Sequence, residues 1–371
     1  MHPTATIEVD GQPVTGVFWE RLIRLSITDH AGKEADTVDM ELLDADPFLE
    51  VPRRGAKVKV WLGYAKQERY MGEFVVDDVS IECVPYRITV SGRSADVRKK
   101  LKQQKSRSFE NKTVKEIAET IAADHGLEAV VSDKVGSAKY EWQGQADESD
   151  LHFLERIARR HGALLSFKDG KLIMAERGAG KSASGKEMTV LLIPRNAIVV
   201  GSCRVRFGDR GRYKRVKALY QDNGKQKRIE VEVESDPDSD ADYTIQEPFG
   251  SEDEAKKAAK SKSDDLKSSA DTTECKLVGD PDFKAGTPFQ YAGVRPVVDD
   301  ITWTAETVTH DFTPSGGYTV SISGKRKPDD SKAVQDKKKN REGAKKPGGA
   351  ATQSQRKSEP PAQQPIPWKL N

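Results

Sequence analysis

Three groups of residues in this sequence have types suited to chemistry: a Gly-Lys-Ser run, scattered histidines and cysteines, and many carboxylates. Arg177-Gly178-Ala179-Gly180-Lys181-Ser182 invites comparison with a phosphate-binding loop. Such a loop needs a glycine five positions before Gly180 and a helix directly afterwards, so that backbone N–H groups converge on phosphate. The earlier position holds Ala175, and Ala183-Ser184-Gly185-Lys186 has the composition of a loop. Both requirements fail, and no nucleotide site is read here. The six histidines are His2, His30, His125, His152, His161 and His310. None stands in an HExxH or HxxxH arrangement or close to a cysteine, so no zinc cage is visible. His125 and His161 fall in the last turn of expected helices, where an imidazolium would complement the dipole.

Cys83, Cys203 and Cys275 are odd in number and far apart, which excludes a disulfide framework and any CxxC knuckle. Their usage suits a reducing cytoplasm. With 59 acidic residues, chance carboxylate pairs are everywhere and carry no information. A glycosidase needs one acid of raised pKa in a cleft, whereas Glu230, Glu232 and Glu234 alternate along what reads as an exposed strand face. No GxSxG elbow is present. The sequence therefore gives no catalytic residue, no cofactor site and no metal site.

The elements that would carry any site fall into four stretches. Residues 1–98 read as antiparallel β-structure, the first barrel. Val38, Met40 and Leu42 share one face of an alternating run, and Asp10-Gly11, Ala31-Gly32-Lys33 and Pro52 to Gly55 supply turns. Residues 99–186 read as a small α/β insert. Thr113 and Glu116 form a capping box ahead of Ile117, Ala118, Ile121 and Ala122. A second helix is expected from about Ser149 to His161, with short strands near Glu128–Val131, Ala163–Phe167 and Lys171–Met174. Residues 187–327 return to alternating strands, a second barrel, interrupted by one helix that starts at Ser251 and Glu254 and runs to Leu266. Residues 328–371 form a Lys- and Pro-rich extension with too little apolar surface to fold by itself.

Hydrophobic residues make up 36% of the 371 and charged ones 32%, enough for several cores under a highly charged surface. No run of about 18 apolar residues appears, so no membrane insertion is expected. The N-terminus lacks a basic region followed by an apolar core, so no secretory signal is expected either. Residues 325–371 hold 13 Lys/Arg against 5 Asp/Glu, a net of +8, and residues 1–324 hold 48 against 54, a net of −6. Aromatic residues are missing from the basic tail until Trp368, so sequence-specific nucleic-acid binding is not read from it. Ile366, Trp368 and Leu370 are its apolar residues near the end and are the expected anchors on a neighbouring subunit.

The order of these motifs resembles the phage late control protein D family, the baseplate hub of contractile tails. The resemblance spans roughly residues 3–327. It rests on Leu22-Ile23-Arg24-Leu25-Ser26-Ile27-Thr28-Asp29, on Arg54-Gly55-Ala56 and Leu62-Gly63-Tyr64, and on Met71 to Val79. Gln145-Ala146-Asp147-Glu148-Ser149-Asp150-Leu151-His152-Phe153-Leu154-Glu155-Arg156-Ile157-Ala158 is the strongest piece. Gly279-Asp280-Pro281, Gly286, Val308-Thr309-His310 and Gly317-Tyr318 follow in the second barrel.

What the resemblance implies is a mainly β, α+β chain with two tube-protein-like barrels, acting as a homotrimer that presents a near six-fold ring. Such a hub joins the six-fold tail tube to a three-fold central spike and leaves a central channel. Its partners would be the spike, the tube protein, adjacent baseplate proteins and the tape-measure protein, with no small-molecule substrate. The N-terminal part of the type VI secretion spike protein VgrG shares that architecture. Read without the family, Asp147 or Ser149 caps the 149–161 helix, with Glu148 and Asp150 as partner-contact candidates. A tail-tip peptidoglycan hydrolase is the alternative function, and a late-transcription regulator a third, which the missing DNA-reading motif opposes. The long basic tail departs from the family pattern.

Overall fold

The computed structural model describes residues 2–327 apart from 33, 66, 95–100, 169, 177–186, 210, 223–226 and 238. The chain divides into a compact unit, Met1–Asp330, and a second unit, Ser331–Asn371, which lies outside the described residues. The described residues of the first unit are mainly β and form three separate hydrophobic cores.

The largest core lies against a 13-stranded sheet. Its first half comprises β1 (Pro3–Val9), β2 (Gln12–Pro13), β3 (Leu22–His30), β4 (Thr37–Leu43), β5 (Lys57–Tyr64), β6 (Arg69–Cys83) and β7 (Tyr86–Ser94), with a short helix α1 (Val17–Arg21). Alternation decides which side chains enter: in β4, Val38, Met40 and Leu42 are buried, as their period-two spacing predicts.

Residues 101–176 form the second core. Strands β8 (Gln104–Thr113) and β10 (Lys139–Ser149) pair as a two-stranded ribbon. Strands β9 (Glu128–Val131), β11 (Ala163–Lys168) and β12 (Lys171–Glu176) form a second sheet. Helices α2 (Val114–Asp124), α3 (Asp133–Gly136) and α4 (Asp150–Arg160) complete the unit. The capping box on α2 is fully formed: Thr113 Oγ1 accepts from the Glu116 N–H, and the Glu116 carboxylate accepts from the Thr113 N–H at 2.8 Å. Thr113→Ala should therefore lower the stability of this unit by about 1 kcal/mol, while Thr113→Ser stays near wild type. Urea midpoints of the three chains check this.

The rest of the sheet comes from β13 (Leu191–Pro194), β14 (Arg204–Phe207), β18 (Asp271–Val278), β19 (Pro288–Ala292), β20 (Trp303–Thr313) and β21 (Gly317–Arg326), with a short helix α6 (Pro296–Asp299). The strand order is β14-β18-β21-β20-β3-β4-β7-β6-β5-β1-β2, with β13 and β19 pairing beside β20. Between β14 and β18 the chain leaves the sheet. There β15 (Arg215–Asp222), β16 (Lys227–Glu234) and β17 (Asp242–Phe249) form a small sheet covered by α5 (Glu252–Ala270). Val216, Ala218, Val231, Phe249, Ala255, Ala258 and Ala259 are its core. Small alanines on α5 let the helix lie close to the strands. The sequence reading placed this excursion within the 187–327 stretch without separating its core, and ended the helix four residues early, at Leu266.

Strand β20 is the junction of the molecule. Its first residues, Trp303 and Thr304, pair with β19. After a register shift between Ala305 and Thr307 the same edge pairs antiparallel with β3, from Thr307↔His30 to Phe312↔Leu25. Residues nearly 300 positions apart thus share one ladder and one core. Across the seam Arg24 Nε donates to Asp311 Oδ1 at 3.0 Å, and the Tyr64 hydroxyl donates to the Gly279 carbonyl at 2.8 Å. No helix among the described residues is long and apolar enough to cross a membrane.

Candidate functional site

The strongest sequence motif, Gln145–Ala158, forms the end of β10 and nearly all of α4. A register shift between Gln145 and Glu148 breaks the ladder with β8, and Asp147 takes φ 46°, a left-handed conformation that Asp tolerates better than most residues. Ser106 holds it there, donating to Asp147 Oδ1 at 2.8 Å and accepting from the Asp147 N–H at 3.0 Å. The bulge turns the chain into α4, and Ser149 is the N-cap, its Oγ accepting from the His152 N–H at 3.2 Å. Of the two capping residues weighed from sequence, Ser149 takes the role.

Asp150 is 0% exposed, which corrects its reading as a partner-contact residue. Its carboxylate is enclosed by donors of its own chain. Oδ1 accepts from Arg107 Nη2 at 2.7 Å and Gln145 Nε2 at 2.9 Å. Oδ2 accepts from Lys105 Nζ at 2.7 Å and lies 2.8 Å from His125 Nε2. Burial by itself raises its pKa, but the hydrogen bonds from Lys105, His125 and Gln145 and the Arg107 charge outweigh burial and hold the carboxyl at about 2. The network ties β8, β10, the end of α2 and the start of α4 together. Glu148 is half-buried and carries Arg156 as a bidentate partner, at 2.7 and 3.2 Å.

The helix-end histidines act as bonding partners. His125 contacts Asp150. His161 Nε2 lies 2.8 Å from the Tyr140 hydroxyl, and burial, with the Lys257 and Arg160 charges, lowers its pKa to about 4. A neutral imidazole accepting from Tyr140 replaces the expected dipole-compensating cation.

Two seams join the smaller units to the main sheet or to each other. In the first, Lys168 of β11 reaches two carboxylates, Asp29 of β3 and, at 3.3 Å, Asp36 of the β3–β4 loop. Asp29 also accepts from the Ala285 N–H at 2.9 Å, and Asp36 from the His30 N–H at 3.0 Å. Burial and the adjacent Asp29 charge lift the Asp36 carboxyl to about 6. In the second seam, Arg160 of α4 pairs with Glu254 of α5 at 3.0 Å and lies over the Phe249 ring at 5.5 Å. A groove of about 350 Å³ runs beside it, between α4 and β17.

The main sheet also exposes an apolar patch. Ile81, Val84 and Tyr86 are exposed around the β6–β7 turn, Val84 by 88%, with the Phe48 ring 5.5 Å from that of Tyr86; Leu43, opposite Arg87, is exposed on the other face. The Ile366, Trp368 and Leu370 candidates, and the 177–182 loop, lie outside the described residues.

The phage tail baseplate hub (GPD) family matches residues 20–316. The chain belongs to this family. A relative described as a probable baseplate hub protein of Escherichia phage 186 is 30% identical over 361 residues, 86% of this chain and 92% of that protein. The 43 kDa tail protein of prophage MuSo2 from Shewanella oneidensis has the same fold, with a TM-score of 0.67 at 17% identity over 88% of this chain and 99% of that one. An Escherichia coli protein described as a component of the type VI secretion system, structurally similar to bacteriophage T4 tail proteins gp27 and gp5, matches with a TM-score of 0.54 at 13% identity. It covers 86% of this chain and 76% of that one. The hub is thus a structural protein of the baseplate in a phage tail or phage-like particle.

In the hub, the motif residues of the second half also have structural reasons. A Cβ on Gly279 would fall 2.1 Å from the Tyr318 ring, so glycine is required there. The Tyr318 hydroxyl lies 2.6 Å from His310 Nδ1, and His310 Nε2 donates to the Phe283 carbonyl at 3.0 Å. Sequence reasoning missed Lys168 and Asp36, because their meeting depends on how the 101–176 unit docks. It missed the Phe48–Tyr86 patch because isolated apolar residues in strands look alike whether buried or exposed.

Proposed function

We propose that the hub works as a homotrimer that adapts the six-fold tail tube to a three-fold central spike, by binding and without catalysis. The observation that supports this reading is the β3–β20 ladder, which fuses the two halves of one chain into a single rigid sheet. Symmetry mismatch across an interface leaves contacts unmatched, and a chain that carries two β-units side by side removes it: three copies present six. On this reading 1–98 and 187–327 supply the two tube-like barrels, 99–186 is an insert between them, and 328–371 reaches a neighbouring subunit through Ile366, Trp368 and Leu370. The spike, tube and adjacent baseplate proteins are the partners, and Glu148 remains a contact candidate at the rim of α4.

The alternative, a tail-tip hydrolase, needs a carboxylic acid of raised pKa in an open cleft. Asp36 has a raised pKa, but its carboxyl is nearly enclosed and already bonded to Lys168 and the His30 N–H. Light scattering tests the trimer. A particle near three times 41.0 kDa is expected, alone or with the spike protein added. A monomer under both conditions rejects the trimeric adaptor, and enzyme-like clearing of a peptidoglycan suspension would restore the hydrolase.

A further inference from the structure

Cys203 and Cys275 stand 72 positions apart in sequence but opposite one another in the fold. Strand β14 pairs antiparallel with β18, from Phe207↔Asp271 back to Arg204↔Glu274. One step further along the same register sets Cys203 against Cys275. The Gly208 N–H donates to the Ala270 carbonyl at 2.9 Å, so 208 and 270 are a hydrogen-bonded pair. Antiparallel pairs alternate, which makes 206–272 and 204–274 hydrogen-bonded and 203–275 a non-hydrogen-bonded pair. At such pairs the Cα atoms approach to about 4.5 Å and the side chains lie closest, within the range a disulfide spans.

Beyond the cysteines the chain turns through Val199–Ser202, so that Ile198 and not residue 201 bridges to Leu277, but Ser202 still meets Lys276. Ser202 Oγ accepts from the Lys276 N–H at 3.1 Å, standing in for the next rung, and its hydroxyl donates to the Val199 carbonyl at 2.7 Å. Both thiols lie against the Tyr291 hydroxyl, which also lies 2.7 Å from Thr273 Oγ1. The two sulfurs therefore share one face of the sheet and one neighbour. Both are free thiols, Cys275 buried and Cys203 partly so.

We propose that Cys203 and Cys275 are the site of a cross-strand disulfide, formed when the assembled hub meets a small-molecule disulfide oxidant. The Cys203 thiol loses its proton and attacks the oxidant, releasing one thiol and leaving a mixed disulfide. The Cys275 thiol then loses its proton, attacks the Cys203 sulfur and expels the second thiol. Two thiols are oxidised and one disulfide is reduced. Burial raises the pKa of both cysteines, Cys275 to about 11, so little thiolate exists near neutrality. The pair stays reduced through assembly in a reducing compartment and closes slowly once an oxidant is present.

The link would act at one edge of the sheet. β14 is the edge strand, held on one side by β18. Between the two cysteines the chain makes the whole excursion through β15, β16, β17 and α5 and back. A bond at its root fastens both the strand that leaves the sheet and the strand that returns.

The test uses the full chain carrying Cys83→Ser, which removes the exposed thiol, incubated folded with glutathione disulfide. Titratable thiols, counted after unfolding in acid, should fall from two to none, and non-reducing peptide mapping should join Cys203 to Cys275. A protease nick anywhere between 204 and 274 should then leave one band without reductant and two with it. Two thiols that persist, glutathione retained on Cys203 with Cys275 free, or a link that forms only in denaturant would each overturn the proposal.

Discussion

Replacing Asp150 with alanine should destabilise the 101–176 unit by about 3–5 kcal/mol. The carboxylate is fully buried, and its removal leaves His125 and Gln145 facing a cavity and Lys105 and Arg107 with only the more exposed Asp124 carboxylate. The conservative Asp150→Asn keeps the volume but not the charge and should cost about 3 kcal/mol, since hydrogen bonds to charged groups are the stronger ones. Urea unfolding of the full chain measures both, with hydrogen exchange in α2 and α4 reporting the location. An unchanged midpoint for both variants would show that the network contributes nothing net. The pH dependence has a fixed sign. The folded carboxyl titrates at about 2, below its unfolded value of 3.8. Its contribution is therefore present above about pH 4 and lost as pH falls toward 2, about 2 kcal/mol in all. Asp150→Asn should lose that acid-side slope.

Lys168→Met should loosen the contact between the 101–176 unit and the main sheet by about 2–3 kcal/mol near pH 7.5, and by less at pH 5. The ammonium is what allows two carboxylates, Asp29 and Asp36, to share a nearly enclosed space. Without it one of them must hold a proton, and doing so becomes costly as pH rises. In the wild-type chain the Asp36 carboxyl is already lifted to about 6, from 3.8. A raised folded value means that the folded state holds the extra proton, so this group's contribution declines as pH rises from about 4 to 6. Asp29 is held below its ordinary value: burial alone would raise it, and the Lys168 charge and hydrogen bond outweigh that, so it stays ionised over this window. Asp36→Asn should flatten the slope between pH 4 and 6. Thermal melts at pH 5 and 7.5 decide it; equal losses for Lys168→Met at both would show that charge is not what the lysine supplies.

Legibility from sequence followed the range of the interaction. Thr113 with Glu116, and Ser149 with His152, act within one helical turn, and the residue types announce them. Val38, Met40 and Leu42 declare a strand face by alternation. The motif around Asp150 was visible, but its role was misread: an acid at the start of a helix looks like surface until Lys105, Arg107 and His125 are brought in from elsewhere in the unit. Lys168 meeting Asp29 and Asp36 left no local trace, and neither did the register that faces Cys203 toward Cys275. The β3–β20 ladder joins residues about three quarters of the chain apart, and alternation states which face is buried but never which strand is the neighbour.

That ladder also bears on synthesis. Strand β3 is among the first to leave the ribosome, and β20 is the last strand but one among the described residues. Until β20 arrives, β3 presents an unpaired edge beside a half-built core, a surface prone to joining other nascent chains. The late partner also acts as a completeness check, because a message cut short anywhere before codon 303 yields a protein with no central seam. Such products lack the ladder that fuses the two halves of the hub. Quality control of the hub is thus written into the order in which its strands are made.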